Sequence, residues 1–484
     1  MPKQSASNLN SKIILAILAV AVTVSFFIFF ENTWQNNTPS LETSQDQYVK
    51  EYSLPDGTRP NAILVDTNET VWISTSNSGN LLSLDPKNGV ITNFSIRDDS
   101  TPTNEKGNST MIWAMVQDLD GYIWFAELGT KSIWKLDPKN NDFQSIHSET
   151  GAPFQMKVDK NHDIWFTTLS SNTIGVISKS INGNYAVSAF DTGNNTTPAG
   201  LFLQDASVWT ANIDTQNILQ YKIDRENISV KNISLIGKIP KSNDTVFSSP
   251  TDLLLNKNSV WLTEHGTSFL TRYDIDTGKI TRYPTSQNNF HTVTLPFWIR
   301  GTENPKFLWF NEHQGNKIGR FDLENNTLTE YSIPSVPKGG YITYPLNISQ
   351  DPRDEKILWF SEWNTDKVGI IDGNIPIPFE ILPIAKKIVL SSTIPDYSLD
   401  LEIKDNSDRP NTVFLNASSS ITSTAELGNL TVQFLPNVVD LSNSQKVKLL
   451  VHDGGVAPGN YTLGISISDG YVTKTEFLDL SIIK

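Results

Sequence analysis

A tryptophan that recurs at nearly even spacing constrains the fold of this chain more than any other feature. Seven times, a tryptophan is preceded by an apolar residue and followed nine positions later by another one. Successive tryptophans are about 41 to 52 residues apart, the period of a four-stranded blade repeated around a ring. The tryptophans are Trp72, Trp124, Trp165, Trp209, Trp261, Trp309 and Trp359, and the residues nine positions later are Leu81, Ile133, Ile174, Ile218, Leu270, Ile318 and Val368. Seven copies predict an all-β chain with a seven-bladed β-propeller.

The rest of each repeat fits four strands. A proline such as Pro60 or Pro250 opens most first strands, where it costs no ladder hydrogen bond. The segment 48–55 is similar to the fourth strand of the sixth repeat, and we expect it to join the last blade and close the ring. The segment 378–382 is a second candidate for the outermost strand, and the sequence leaves that choice open.

The N-terminus indicates a membrane anchor. Eighteen uncharged residues, Ile13 to Phe30, follow Lys3 and Lys12, and no small-residue cleavage site comes after them. We therefore expect residues 1–31 to form a cytoplasmic stub and a single transmembrane signal anchor, with the rest of the chain outside the cell membrane. A cleaved signal peptide is the alternative. Residues 32–46 are polar and predict a tether to a propeller at 47–383.

The last hundred residues form a different unit. The tryptophan period stops after Pro383, and residues 384–484 contain no tryptophan but several short alternating segments, such as 430–434 and 446–450. This pattern predicts an antiparallel sandwich. The segment 457–470 resembles the closing hairpin of immunoglobulin-like modules on prokaryotic surface proteins. We therefore expect residues 384–484 to be an immunoglobulin-like β-sandwich.

Composition excludes some classes of function. The chain has no cysteine, which excludes disulfides and thiolate chemistry, and its net charge of −14 argues against nucleic acid as a partner. Fourteen Asn-x-Ser/Thr sequons make a glycoprotein a hypothesis for an extracytoplasmic chain. We expect a monomer that binds a small molecule, or a glycan or protein at the cell surface.

Three phrases carry a family resemblance: Ile123-Trp-Phe-Ala-Glu127, Leu308 to Arg320, and Leu358 to Gly369, the last two containing Trp-Phe-x-Glu and Lys-Ile/Val-Gly. They resemble the blades of the streptogramin lyases, the virginiamycin B lyase family, over residues 48–383. The resemblance implies a seven-bladed propeller that opens a cyclic depsipeptide by elimination across its ester, with a magnesium ion polarising the carbonyl and histidine moving the proton.

The residues after each tryptophan supply the candidate site. The resemblance implies that Glu264, Glu312 and Glu362 are ligands for Mg²⁺ or Ca²⁺, which prefer oxygen donors. A structural role is the alternative, in which these carboxylates pair with backbone or with Lys317, Arg320 or Lys367. His265 and His313 follow two of the glutamates and are the candidate catalytic residues. Trp298, Trp363 and His291 are the candidate ligand-binding residues.

The resemblance is incomplete where the family places its catalytic histidines, directly after the proline that opens a first strand. This chain has no histidine there; the residues are Asn61, Phe154, Ala199, Thr251, Phe297 and Leu346. We therefore expect a binding module with a glutamate-rich face. The alternatives are a metal-dependent carbon–oxygen lyase or lactonase acting on a cyclic ester, and a structural cell-surface protein.

Overall fold

The structure is a computed structural model that describes residues 46–76, 79–96, 111–180, 182–205, 207–224, 227–234, 248–287, 291–336, 342–382, 385–406, 411–441 and 445–483. These residues form strands and turns and contain no helix. None of their segments is therefore a helix suited to crossing a membrane. The predicted anchor at 13–30 lies outside the described residues.

Among the described residues, seven antiparallel units have four strands each: six consist of consecutive strands, and the seventh is completed by β1 (Val49–Ser53), the first strand of the chain. The first three units contain β2 (Pro60–Val65), β3 (Val71–Thr75), β4 (Asn80–Leu84), β5 (Ile91–Ser95), β6 (Ile112–Gln117), β7 (Ile123–Glu127), β8 (Ser132–Asp137), β9 (Asp142–His147), β10 (Pro153–Val158), β11 (Ile164–Thr168), β12 (Thr173–Lys179) and β13 (Tyr185–Asp191).

The remaining units follow the same order. They contain β14 (Pro198–Gln204), β15 (Ser207–Asn212), β16 (Asn217–Asp224), β17 (Asn227–Ser234), β18 (Pro250–Asn256), β19 (Ser259–Glu264), β20 (Phe269–Asp274), β21 (Ile280–Pro284), β22 (Pro296–Arg300), β23 (Phe307–Glu312), β24 (Lys317–Asp322), β25 (Thr327–Ser332), β26 (Pro345–Gln350), β27 (Ile357–Glu362) and β28 (Lys367–Asp372). The seventh unit thus contributes only three strands of its own.

The repeated tryptophan anchors the second strand to the turn before it. The indole N–H of Trp124 donates to the Oδ2 of Asp118, six residues earlier, at 2.7 Å. Trp72 and Trp165 donate in the same way to Asp66 and Asp159, each at 3.0 Å. A buried indole nitrogen needs such an acceptor. The acidic turn and the tryptophan therefore form one structural feature that is shared by the first three units, whereas Trp309 of the sixth unit donates to the carbonyl of Glu355.

The N-terminal strand completes the last unit. β1 pairs with β28 in antiparallel register, with Glu51 opposite Gly369 and Tyr52 opposite Val368. The first strand of each unit contacts the first strand of the next, and β26 contacts β2, so the units form a closed circle. The prediction that residues 48–55 close the ring is confirmed.

The C-terminal region forms two further sheets. Its strands are β29 (Phe379–Leu382), β30 (Lys387–Ser391), β31 (Asp396–Asp405), β32 (Asn411–Ser419), β33 (Leu430–Leu435), β34 (Val438–Leu441), β35 (Gln445–Asp453), β36 (Gly459–Ser468) and β37 (Val472–Ile483). One sheet has the order β29-β31-β35-β33. The rival closing strand at 378–382 is therefore part of this C-terminal sheet, because β29 pairs with β31.

The second C-terminal sheet continues a propeller-type unit. β37 pairs with β25, the outer strand of the sixth unit, and Leu328 lies opposite Thr475. A single hydrophobic core runs through both regions, and it includes Trp309 and Tyr331 from the sixth unit together with Leu463 and Leu480 from the C-terminal sheets. The pairing with β37 gives hydrogen-bond partners to the backbone of β25, which would otherwise be an exposed edge strand.

Candidate functional site

Strand register defines equivalent positions at the start of every first strand. Pro60 pairs with Thr75, Pro250 with Glu264, and Ile112 with Glu127, so Ile112 replaces the proline in the second unit. The residues that follow the opening residue are Asn61, Trp113, Phe154, Ala199, Thr251, Phe297 and Leu346. Trp113 is the member that the sequence analysis missed, because that analysis relied on the proline to find the position. We call this end of the units, together with the residues four positions after each repeated tryptophan, the ring face.

Aromatic side chains and two histidines pack together at the ring face. Phe297 packs against both histidines, with its ring centroid 4.3 Å from that of His313 and 4.7 Å from that of His265. Trp113 lies 5.3 Å from Phe154 and 6.2 Å from Phe297 by the same measure. Three of the seven positions after the opening residue, Trp113, Phe154 and Phe297, are thus filled by aromatic rings packed against one another.

A layer of half-buried apolar side chains surrounds these rings. Trp113, Leu169 and Ile213 pack against the core that contains Phe154 and Phe297. Trp363, a predicted ligand-binding residue, packs beside Trp113 on a small cluster formed by Ile342, Tyr344 and Leu346. These residues leave part of their surface in solvent, so the ring face presents apolar surface of the kind that binds ligands or partners.

Trp298 does not line the ring face. Its side chain is completely buried, stacks on Phe154 at 5.3 Å, and lies 5.1 Å from the guanidinium of Arg300. It belongs to the packed centre of the ring rather than to an open pocket. His291 is partly buried in the loop before β22, and burial lowers the pKa of its imidazole.

The two candidate catalytic histidines are hydrogen-bonded to each other. Nε2 of His265 lies 3.1 Å from Nδ1 of His313, and Nε2 of His313 lies 3.3 Å from the carbonyl oxygen of Leu346. The carbonyl can only accept, so the neutral His313 carries its proton on Nε2 and accepts at Nδ1. His265 therefore donates from Nε2, and its Nδ1 is the nitrogen with a lone pair.

Burial keeps both imidazoles uncharged at neutral pH. It lowers the pKa of His265 to about 4. For His313, burial and then the neighbouring His265 lower the pKa well below its usual value, although the hydrogen bond to Leu346 opposes them. A general base is most effective when its pKa lies near the working pH. This pair is therefore suited to accepting or donating hydrogen bonds more than to taking up a proton.

The three candidate metal ligands are fully buried, so they do not form a solvent-facing acidic surface. Glu264 accepts hydrogen bonds at Oε1 from Arg282 Nε at 2.9 Å and from Thr271 at 2.6 Å. Arg282 and Thr271 lie opposite each other on the two outer strands of the same unit. Glu264 is thus part of an ion pair within its own unit, which agrees with the structural alternative.

Glu312 and Glu362 each face a second carboxylate. Burial, and then Glu330, raise the pKa of Glu312 well above its usual value. Burial, and then Glu51, raise the pKa of Glu362 to about 8. Glu51 itself accepts from Lys367 Nζ at 2.6 Å. Each pair lies within one unit, because Glu330 and Glu51 are on the outermost strands of the sixth and seventh units.

A magnesium ion shared by these glutamates does not fit this arrangement. Each carboxylate has neighbours from its own unit, and the described residues contain no group of three or more histidine, aspartate and glutamate side chains placed to hold a metal. Glu127, at the same repeat position in the second unit, accepts instead from Thr130 and from the indole of Trp134, both at 2.7 Å. In the second and fifth units the repeated glutamate is therefore hydrogen-bonded within its own unit.

Solved structures with a similar fold include virginiamycin B lyase and streptogramin B lyase. Virginiamycin B lyase from Staphylococcus aureus aligns with a TM-score of 0.53 and 23% identity, covering 67% of this chain and 98% of the lyase. A structure of streptogramin B lyase gives a TM-score of 0.52 at 23% identity, covering 67% of this chain and 96% of that one. A catalytically inactive variant of the S. aureus lyase with quinupristin gives 0.53 at 22% identity, with coverage of 67% and 98%.

These identities establish a shared fold and nothing about activity. The comparison with curated protein sequences gave no match. The Virginiamycin B lyase family, in contrast, matches residues 100–388, which is more than half of the chain. The chain therefore belongs to the virginiamycin B lyase family.

Proposed function

We propose that this protein is a membrane-anchored, extracytoplasmic binding protein that holds an apolar ligand on its ring face without cleaving it. In this proposal the seven units are the blades of a seven-bladed propeller, and the C-terminal sheets are an immunoglobulin-like sandwich that extends the sixth blade. The observation that carries the proposal is the ring face itself, where aromatic and aliphatic side chains surround two uncharged histidines.

The chemistry of the ring face favours binding over elimination. Ligand sites are mostly apolar with a few polar groups that fix orientation. Trp113, Phe297 and Trp363 supply the apolar part, and Nδ1 of His265 supplies an acceptor. Elimination needs a base, and the pKa of His265, about 4, leaves it a weak one at neutral pH.

Enzymatic activity is the second candidate function. The family membership favours it, and so does the lone pair on Nδ1 of His265. A carbon–oxygen lyase or a lactonase acting on a cyclic ester would use His265 as the base. The hydrogen bond to His313 would fix the tautomer of His265.

The extracytoplasmic location rests on the uncharged segment 13–30 and on the sequons. Asn68, Asn93 and Asn460 are exposed and could carry glycans. Asn347 is buried and donates its amide to the carbonyl of Trp113 at 2.7 Å, so a glycan there is incompatible with this fold. Glycosylation in this proposal is thus confined to the exposed sequons.

Titration calorimetry with quinupristin, the compound held by the S. aureus relative, tests the proposal on the full-length chain in detergent. We expect saturable binding that weakens at least tenfold in Trp113→Ala and in Trp363→Ala, because each removes a large apolar contact. Tyr471→Ala, an aromatic truncation on the surface of the C-terminal region, is the matched control and should bind like the wild type. Binding that is absent, or unchanged in both tryptophan variants, would refute this site.

A further inference from the structure

A cavity lies at the end of the first strands that is opposite to the ring face. Its volume is about 310 Å³, and its lining includes Leu64, Met115, Val116, Arg300, Asn347 and Ser349. Leu64, Val116, Arg300 and Ser349 hold the same repeat position, since each pairs with or lies next to the repeated tryptophan of its unit. We call this the distal cavity. Its volume is in the range of small-molecule sites.

A charged cluster borders the distal cavity inside an otherwise apolar ring. Asp252, which is completely buried, accepts from Arg300 Nη1 at 2.8 Å and from the side chain of Gln155 at 2.7 Å. Lys157 shares the repeat position of Arg300. Burial, and then Arg300, lower the pKa of Lys157 to about 8, while Asp252 opposes them. Two cations therefore face one carboxylate.

The guanidinium of Arg300 has donors left to use. Its hydrogen bonds with the described residues, to Asp252 and to the carbonyl of Ile299, are both donated by Nη1. Nε and Nη2 form the side of the fork that binds a carboxylate with two parallel hydrogen bonds. The other carboxylate at the cavity, Asp351, is occupied by the backbone N–H and the guanidinium of Arg353.

The geometry points to a binding site in the distal cavity for a small organic carboxylate with an apolar body. The carboxylate lies against Nε and Nη2 of Arg300. Lys157 does not line the cavity, but it interacts electrostatically with Arg300 and Asp252 and adds positive potential to this side. The apolar body packs against Leu64, Met115 and Val116 on the opposite wall. An apolar wall and a partly buried cation favour such a compound over a fully hydrated inorganic anion, which could use only the cation. The site is independent of the ring face.

Titration of the full-length chain in detergent with hexanoate tests this inference. We expect saturable binding, at least tenfold weaker in Arg300→Gln and about threefold weaker in Lys157→Gln. Leu64→Trp fills the cavity and should abolish binding while keeping both charges. Lys179→Gln removes an exposed charge from the same unit as Lys157 and should leave the affinity unchanged.

Two comparison ligands make the result specific. Hexanamide, which has the same body without the charge, should not bind measurably, and inorganic phosphate should not displace hexanoate at equal concentration. Hexanoate that fails to saturate, hexanamide that binds equally well, or phosphate that competes equally would overturn the inference. Arg300→Gln removes the charged partner of Asp252, so circular dichroism must show that this variant folds. If it does not fold, the other two variants still test the site. Binding of hexanoate that is unchanged in both Lys157→Gln and Leu64→Trp would refute it.

Discussion

The buried glutamates at the ends of the second strands differ in the residue three positions later. Thr130 donates to Glu127 at 2.7 Å, and Thr365 donates to Glu362 at 2.6 Å. The sixth unit has Gly315 at this position, and a Cβ there would lie 2.3 Å from Oε2 of Glu312. Glu312 therefore lacks the hydroxyl donor that Glu127 and Glu362 have three positions later, and it faces Glu330 in a buried pair. A proton held between two such carboxyl groups removes the repulsion.

The raised pKa of Glu362 predicts a pH dependence of stability. Its pKa of about 8 lies above the usual value of 4.5, so the folded protein binds a proton that the unfolded chain has lost. The free energy of unfolding should then fall as the pH rises towards 8, by up to about 1.4 kcal/mol per pH unit for this group. Urea unfolding between pH 6.5 and 8.5 measures the slope, and comparison with Glu362→Gln separates the contribution of this group from that of the histidines, which lose their protons in the unfolded chain near pH 6.5.

Glu362→Gln keeps the size of the side chain and removes its charge. This variant should have a flatter pH profile than the wild type in that window, and should be the more stable of the two at pH 8. Glu324→Gln, at an exposed turn, is the control and should keep the wild-type slope. A slope in Glu362→Gln equal to that of the wild type would show that the carboxylate is not protonated in the folded protein.

Residue identity alone could not place these side chains. The repeat register places His265 and His313 at equivalent positions of neighbouring units, and the structure brings their imidazoles within hydrogen-bonding distance. The sequence could not reveal that Glu264, Glu312 and Glu362 turn into their own units, because that depends on the outer-strand residues Arg282, Glu330 and Glu51, which are paired only in three dimensions.

The strand that closes the ring contacts two units, the seventh and the sixth. β1 contributes buried Val49, and Tyr48, the residue before it, is also buried and lies 5.8 Å from Tyr331 of the sixth unit by ring centroids. Tyr52 stacks on Trp359 at 5.4 Å, and Glu51 accepts a hydrogen bond from Ser335 Oγ at 2.6 Å. The N-terminal strand therefore joins two units as well as completing one.

Removal of this strand should destabilise the whole ring. Deleting residues 47–55 exposes β28 and the side chains packed on β1, and we expect the melting temperature to fall by about 5 °C or more. A deletion of equal length in the predicted tether, residues 34–42, is the control and should leave the melting temperature unchanged. Equal melting temperatures for the two deletions would mean that β1 is not needed for closure.

The choice between the two closing strands shows what periodicity can resolve. Both β1 and the segment that forms β29 have the composition of an outer strand, so the sequence left them as alternatives. The pairing of β29 with β31 was hidden because it belongs to a sheet with no repeat and joins residues on both sides of the expected domain limit at 383 and 384.

At the scale of the molecule, the two regions share more than a linker. The β25–β37 pairing joins them edge to edge, and Phe477 of β37 packs at 5.1 Å from Tyr283 of the fifth unit. The sequence predicted the class of each region from its strand patterns. It could not predict that β25 pairs with β37, because the paired residues lie far apart in sequence and no repeat marks them.

The proposed binding role depends on a ring face that keeps the fold of the family while filling its base positions with Phe154, Phe297 and Leu346. Trp298 and Phe154 close the centre beneath that face, so a ligand can only rest on it. The proposed role is therefore to bind a ligand without transforming it, and binding and turnover can be measured separately.

The most direct measurement is the turnover of quinupristin by the full-length chain with magnesium, followed by chromatography of the ring-opened product. The account predicts saturable binding with no product above the uncatalysed rate, for the wild type and for His265→Ala and His313→Ala alike. Product formed by the wild type and abolished in His265→Ala would contradict the account, because it would make His265 an effective base and this protein a lyase.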